Sequence, residues 1–258
     1  MSPHVPHQVA DGSGSGTRRQ RWRRIVVAVA AVLVAALCTR LGLWQLDRAA
    51  QKLALQARIE ARGAMPPLAN AELTARSQDA AAQYDRRAVV RGTWVPAATV
   101  FLDNRQMGGV PGFYVVTPLR LEGRTEALAI ERGWVPRDFR DRSALPPFPT
   151  PAGTVAIEGR VAPPPARLYA FGPEASGPIR QNLDLGAYAG ETGVPLLPLS
   201  LLQTGPAAAG EILKRDWPAP ALDVQKHYGY AGQWFIFAAL TVGLYAWFQL
   251  VRPRIRRR

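Results

Sequence analysis

Cysteine and histidine, the residues that most often carry metals, disulfides or nucleophilic chemistry, are nearly absent from this chain of 258 residues. The one cysteine, Cys38, lies within an apolar segment, so no intramolecular disulfide can form. Zinc sites and iron–sulfur clusters that need several cysteines are excluded as well. The three histidines are His4, His7 and His227. So few imidazoles exclude most histidine-based metal sites and most catalytic triads.

Sequence signatures of catalysis are also missing. The chain has no phosphate-binding loop, no Gly-x-Ser-x-Gly elbow and no His-Glu-x-x-His pair. Carboxylates near the ends of predicted strands are candidates for acid–base roles, yet exposed acids at such places are usually only solvated. These carboxylates are Asp103, Glu131, Asp138 and Asp141. We therefore predict that the chain is not an enzyme.

The positive charge is concentrated at the two ends of the chain. Of the 32 basic residues that give a net charge of +13, ten lie in two terminal arginine clusters. Between Asp47 and Lys226, 21 basic residues face 18 acidic ones, a net charge of only +3. Because no basic stripe with interleaved aromatics crosses this middle region, we expect no nucleic-acid binding. The charge instead indicates membrane topology and attraction to anionic lipid headgroups. The clusters are Arg18, Arg19, Arg21, Arg23 and Arg24, and Arg252, Arg254, Arg256, Arg257 and Arg258.

Each arginine cluster adjoins an apolar segment. Residues 228–251 hold no charge, and as a helix these 24 residues would be about 36 Å long, enough to cross a hydrocarbon core of about 30 Å. Residues 25–46 are a second candidate, interrupted by Arg40, whose side chain would extend to the headgroups. A cleaved signal peptide is the alternative for this first segment, although we expect a retained anchor. Since arginine-rich flanks stay in the cytoplasm, both termini should be cytoplasmic.

The predicted organisation has five regions. They are a disordered cytoplasmic tail (1–21), a transmembrane helix (22–46), an exported β-rich domain (47–226), a second transmembrane helix (227–251) and a basic cytoplasmic tail (252–258). Residues 47–61 have good helix composition without Gly or Pro, so the first helix should extend beyond the membrane. Gly63 and Pro66-Pro67 should end it.

The middle region predicts a mainly antiparallel β domain, either a barrel or a sandwich. Short segments rich in Val, Ile, Thr, Tyr and Trp alternate with turns that contain Gly or Pro, such as Gly108-Gly109 and Pro111-Gly112. The segments are 87–95, 99–103, 113–121, 127–134 and 154–162, and residues 212–217 are a candidate for a last strand.

Several side chains of this domain should face its core. We expect Val115, Ile130 and Val155 to point inward and Trp94 and Trp134 to be buried.

The segment 132–136 has a sequence that suggests a structural role. Gly133 should lie at a β-bulge or at a close backbone approach, and Pro136 should lie at a strand end.

His227 is the residue whose position is most informative. It begins the second apolar segment, and helical spacing places it on one face with Tyr230 or Ala231 and with Trp234. An imidazole at the membrane boundary beside aromatic rings could hold a haem iron. The alternative is an interfacial belt, in which His227 and its aromatic neighbours only anchor the helix. From spacing alone, the interfacial belt is the favoured interpretation.

Motifs spread along the chain resemble those of the Surfeit locus protein 1 family. The resemblance runs from about residue 41 to residue 252 and includes both apolar segments. The motifs are Leu41-Gly42-Leu43-Trp44-Gln45-Leu46-Asp47-Arg48 with Lys52, then Gly92, then Pro111-Gly112 with Thr117-Pro118-Leu119, then Arg132-Gly133-Trp134-Val135-Pro136, and finally His227-Tyr228-Gly229-Tyr230-Ala231 with Gln233-Trp234.

The resemblance implies an assembly factor for haem–copper cytochrome c oxidase. Bacterial members are thought to carry haem A towards the large oxidase subunit and to bind it through a histidine of the second anchor. His227 occupies that position, so the resemblance implies His227 as the ligand of the haem iron. Helical spacing would then place Tyr230 and Trp234 beside the haem. One position departs from the family pattern: Glu131 stands where an asparagine is usual.

The resemblance also implies partners and a location. The partners would be the large subunit of cytochrome c oxidase, haem A synthase and the lipid bilayer, in a bacterial plasma (inner) membrane with the middle domain periplasmic. Two functions stay open. The chain is either a haem A chaperone, for which His227 must be a ligand, or a scaffold that stabilises an oxidase intermediate through its exported domain without touching haem.

Overall fold

The computed structural model describes residues 14–141, 144–169, 176–205, 211–218 and 223–255. The sequence predictions for His4, His7, residues 1–13 of the tail and Arg256–Arg258 lie outside these residues. The elements follow in the order α1 (Gly14–Ala64), α2 (Ser77–Gln83), β1 (Arg87–Trp94), β2 (Val100–Met107), β3 (Val110–Leu121), β4 (Ala127–Pro136), β5 (Thr154–Ala162), β6 (Ile179–Arg180), α3 (Leu185–Thr192), β7 (Leu196–Gln203), α4 (Val224–Ala246) and α5 (Arg252–Ile255). Short 3₁₀ turns occupy Asn70–Glu72 and Pro96–Ala98, and a π-helical turn, Trp247–Val251, joins α4 to α5.

The chain forms two compact units. The helical unit comprises Met1–Leu55 and Leu222–Arg258, and the sheet unit comprises Gln56–Ala221. Both apolar segments of the sequence are in the helical unit, within stretches long and apolar enough to cross a membrane, Arg18–Ala64 and Val224–Ile255. Most of their large apolar side chains are exposed, as expected for surfaces that face lipid.

Both helices are longer than the membrane spans that the sequence predicts. Helix α1 begins at Gly14, so residues 14–21, which were predicted to belong to a disordered tail, are helical. It continues through residues 47–61, as their composition indicated, and ends at Ala64, just before Pro66-Pro67. Helix α4 starts three residues before His227, because Val224, Gln225 and Lys226 are compatible with a helix although two of them are polar. The apolar pattern therefore located the two apolar helices, but it could not locate their ends.

The two helices run antiparallel. Gly42 of α1 lies against Phe235 of α4, where an added Cβ would be 2.7 Å from the ring. Gln45, three residues after Gly42 in α1, contacts His227, which lies eight residues before Phe235 in α4. The contacts thus advance along one helix while they go back along the other. Small buried residues along the pair allow the helices to approach closely. They are Cys38, Gly42, Ala49 and Ala231.

The β domain is built on a seven-stranded sheet in which most strand pairs are antiparallel, as the sequence predicted, and two parallel pairs, which it did not predict, make the sheet mixed. Antiparallel pairs join β1 to β5 and β3, β3 to β2 and β4, and β5 to β7. Two pairs are parallel, β4 with β7 and β2 with β6. The parallel pairs form because β6 and β7 arrive after long connections, and such connections permit parallel pairing.

Two strand predictions are wrong. Pro111-Gly112 lies inside β3 instead of forming a turn, and Gly112 is needed there because an added Cβ would be 2.6 Å from the Trp134 ring. Residues 212–217 form no strand, and only Lys214 makes an isolated bridge to Trp134. The turn at Gly108-Gly109, between β2 and β3, is confirmed, with positive φ at both glycines.

The predicted core is confirmed. Val115 and Ile130 are fully buried, Val155 is partly buried against the main cluster, and Trp94 and Trp134 are 6% and 2% exposed. The central cluster collects apolar side chains from β1, β3, β4, β5 and β7.

Candidate functional site

His227 is held by a side chain that the sequence predictions did not include. Its Nδ1 lies 2.7 Å from Oε1 of Gln45, on the neighbouring helix of the same unit. Both residues are half-buried. Gln45 is an uncharged polar residue within an apolar segment, and this was the signal that could have identified it.

The contact favours one of the two neutral tautomers of the ring. With the carboxamide oxygen of Gln45 facing the ring, Nδ1 acts as the hydrogen-bond donor, because a carboxamide oxygen only accepts. In a neutral imidazole the other nitrogen, Nε2, then keeps its lone pair. Histidines that bind metals commonly have this arrangement, in which one ring nitrogen donates to a protein oxygen and the other is the ligand. The residues present therefore fit a metal-centred group such as haem.

The other two predicted site residues lie along the same side of α4. At 100° per residue, Trp234 is only about 20° and Tyr230 about 60° around the helix from His227. Tyr230 is 53% exposed, whereas Trp234 is half-buried and packs edge-to-face on Phe237, with 6.0 Å between ring centroids. His227, Tyr230 and Trp234 thus form an aromatic flank on which an apolar, planar molecule could lie.

Charged groups gather at the N-terminal end of α4. Lys226 Nζ lies 2.7 Å from Oδ2 of Asp223, and this hydrogen bond lowers the pKa of the Asp223 carboxyl. Both side chains are exposed, so the pair contributes little to stability. It marks the place where the apolar part of the helix begins.

The predicted bulge in the segment 132–136 is present. Val115 pairs with Gly133 but Val116 pairs with Glu131, so Arg132 is an extra residue in β4. At Gly133 an added Cβ would be 2.8 Å from Cβ of Leu213, which confirms the close approach. Strand β4 ends at Pro136, as expected.

Arg132 is 3% exposed and has a structural environment. Its guanidinium stacks between the rings of Trp94 and Phe148, 4.6 and 4.7 Å from their centroids. Its nitrogens donate to Thr150 Oγ1 at 2.8 Å and to the Pro149 carbonyl at 2.9 Å. Burial lowers the pKa of Arg132 to about 10, so it stays charged at neutral pH.

Glu131, which departs from the family pattern, is a buried acid. Ser200 Oγ lies 2.8 Å from Glu131 Oε1 and 2.7 Å from the carbonyl oxygen of Pro163. The hydroxyl has one hydrogen, which it can donate either to the Glu131 carboxyl oxygen or to the Pro163 carbonyl. Burial raises the pKa of Glu131 from 4.5 to about 7, against the opposing effects of Ser200, Arg105 and Arg160.

The antiparallel helices and the mixed sheet define a class of protein: a chain in which a large β domain lies, in sequence, between two helices that are long and apolar enough to cross a membrane. The sequence model of the SURF1 family matches residues 32–239, most of the chain. The protein belongs to the SURF1 family, which is linked to cytochrome oxidase assembly and whose members are assembly factors rather than enzymes. In a comparison with curated proteins, none matches the chain.

Proposed function

We propose that this SURF1 protein binds haem A through His227 and helps to deliver it to the large subunit of cytochrome c oxidase. The observation that carries the proposal is the hydrogen bond between Nδ1 of His227 and Gln45 Oε1. An acceptor oxygen at Nδ1 favours the tautomer with its proton there, which leaves Nε2 available to coordinate the iron of the haem cargo.

The aromatic flank supports the same ligand. A haem ligated at Nε2 of His227 needs apolar surface for its ring, and Trp234 and Tyr230 offer such surface within the next two turns of α4. Because a macrocycle in this position could also face the acyl chains, little enclosure by protein is needed. A site of this kind suits temporary binding of a cargo that is later released.

The proposal includes an orientation in the bacterial inner membrane. Both termini would be cytoplasmic and residues 47–226 periplasmic, with spans at 22–46 and 227–251. The antiparallel helices bring their arginine-rich ends to one side, and clustered arginines are retained on the cytoplasmic side. Reporter fusions at Gly123 and after Arg258 should report opposite compartments, and an exported C-terminus would refute this orientation.

The test of the haem proposal compares His227→Ala with Tyr228→Ala in full-length protein purified from cells that make haem A. Tyr228 is an exposed neighbour on a different flank of α4 and provides the control. Only His227→Ala should remove the Soret band, while the protein level and membrane insertion stay at wild-type values. Trp234→Ala should weaken haem binding less than His227→Ala.

The alternative scaffold function predicts a different pattern. There, the wild-type protein would carry no haem, and His227→Ala would leave the haem A content of the oxidase unchanged. His227→Ala protein with haem at wild-type stoichiometry would refute the ligand role. Haem A synthase is the proposed donor of the cargo, and co-purification with it in detergent would support that partnership.

A further inference from the structure

We infer that Gln45 is the positioning residue of the haem site, since it fixes the tautomer and the ring orientation of His227. This inference rests on the proposed haem function. Its geometric basis is the 2.7 Å contact between Gln45 Oε1 and Nδ1 of His227, which connects residues 182 positions apart in the chain.

The chemistry requires a partner at Nδ1. A neutral imidazole carries one proton, which resides on either ring nitrogen, and only the unprotonated nitrogen can coordinate iron. An oxygen acceptor at Nδ1 favours the tautomer in which Nε2 is unprotonated. The same bond prevents the ring from rotating about the Cβ–Cγ bond and makes the imidazole a stronger electron donor.

The surrounding helices make the acceptor rigid. One turn before Gln45, Gly42 contacts the Phe235 ring, and a Cβ at this position would be only 2.7 Å from that ring. One turn after Gln45, Ala49 is fully buried. Close packing on both sides limits the movement of α1 at Gln45, so Oε1 stays within reach of the imidazole.

The hydrogen bond from His227 to Gln45 contributes little to holding the two helices together. Hydrogen bonds between transmembrane helices contribute modestly, because the separated helices find other partners. Helix packing already has support from the small residues of the pair. Gln45 therefore has its main effect through His227, and its replacement should alter the bound haem more than the fold.

The experiment uses full-length protein in detergent, titrated with haem A and followed by absorbance and redox potentiometry. Three variants are compared: Gln45→Leu, which removes the acceptor; Gln45→Glu, which keeps an oxygen at the same reach; and the control Gln51→Leu. Gln51 is exposed on the same helix and donates to Asp47 instead. Gln45→Leu should lower haem A affinity about 10–100-fold, the usual effect of losing the hydrogen-bond partner of a metal-binding histidine.

Gln45→Glu should restore binding and lower the midpoint potential of the iron. A carboxylate accepts the Nδ1 hydrogen more strongly, places more negative charge on the imidazole and so stabilises ferric iron. The control should match the wild type in both measurements. In Gln45→Leu, which adds no charge, the loss of the acceptor should raise the potential, whereas a purely structural role would leave it unchanged.

The outcomes separate this inference from the proposed function. If His227→Ala loses haem while Gln45→Leu binds it with wild-type affinity and potential, the positioning role is refuted and the haem function stands. If His227→Ala keeps haem, both are refuted. Should Gln45→Leu fail to accumulate, an unchanged affinity and potential in Gln45→Glu would still refute the positioning role.

Discussion

The replacement Glu131→Gln should abolish a pH-dependent loss of stability in the β domain. Glu131 is 5% exposed, and its carboxyl has a pKa of about 7 in the folded domain compared with 4.5 ordinarily. Below pH 4.5 the acid is protonated in both the folded and unfolded states and costs nothing. Between pH 4.5 and pH 7 only the unfolded state releases its proton, so the free energy of unfolding falls as the pH rises.

The size of the effect follows from the difference between the two pKa values. Each pKa unit corresponds to about 1.4 kcal/mol, so the full loss by about pH 8 is on the order of 3 kcal/mol. Glutamine has the same shape, cannot ionise, and can donate its amide hydrogen to Ser200 Oγ. The Glu131→Gln protein should therefore be more stable than the wild type at pH 8, by an amount that shrinks towards pH 5.

The assay is thermal unfolding of the full-length protein in detergent at several pH values, followed by near-ultraviolet circular dichroism. For a domain of 150–250 residues a change of 1 kcal/mol shifts Tm by roughly 2–4 °C, so the difference in Tm should grow by roughly 6–12 °C from pH 5 to pH 8. The control Glu158→Gln changes an exposed carboxyl on β5 and should show no such growth. A Tm difference between Glu131→Gln and the wild type that does not change with pH would refute the claim that burial raises the pKa of Glu131.

Three further substitutions test the packing of the two units. Gly133→Ala should destabilise the β domain, because the added Cβ would lie 2.9 Å from a backbone oxygen, whereas Gly190→Ala in α3 has open space and should be neutral or slightly stabilising in the same melts. Trp134→Ala should cost about 3–5 kcal/mol and lower the steady-state protein level, and a wild-type level would contradict its burial. Gly42→Leu should separate the helices at Phe235, which cysteine cross-linking across the pair would detect as a loss of yield.

The local pattern of the sequence predicted those strands that bury one face. In β1, buried and exposed residues alternate strictly, and its predicted boundaries agree with the structure to within one residue. Strand β4 is buried along nearly its whole length, and its apolar composition identified it equally well.

Strand β7 could not be predicted because its sequence contains Pro198. Proline lacks the N–H group that a strand interior normally donates, so the segment looks unlike a central strand. The structure accommodates it at an irregularity, where the β4–β7 register shifts between the pairs Ala127–Leu196 and Ala129–Ser200. Such an irregularity depends on the neighbouring strand, about which the local sequence carries no information.

The sequence predicted the site residues on α4 but not the one on α1. His227 is conspicuous because the chain has so few histidines, and helical spacing associates it with Trp234. The contact of His227 with Gln45, 182 residues away in the chain, depends on how the two helices are aligned against each other, which no local pattern determines. Glu131 was visible as a departure from the family pattern, but its burial and its hydrogen bond to Ser200 depend on the parallel pairing of β4 with β7.

The central claim, that His227 ligates the iron of haem A, is tested most directly by pulsed electron paramagnetic resonance of the ferric protein labelled with ¹⁵N-histidine. Labelling should change the hyperfine coupling of one nitrogen bound to the iron in the wild type, and this coupling should be lost in His227→Ala. Persistence of the labelled-nitrogen coupling in His227→Ala, or its absence from the haem-loaded wild type, would contradict the account.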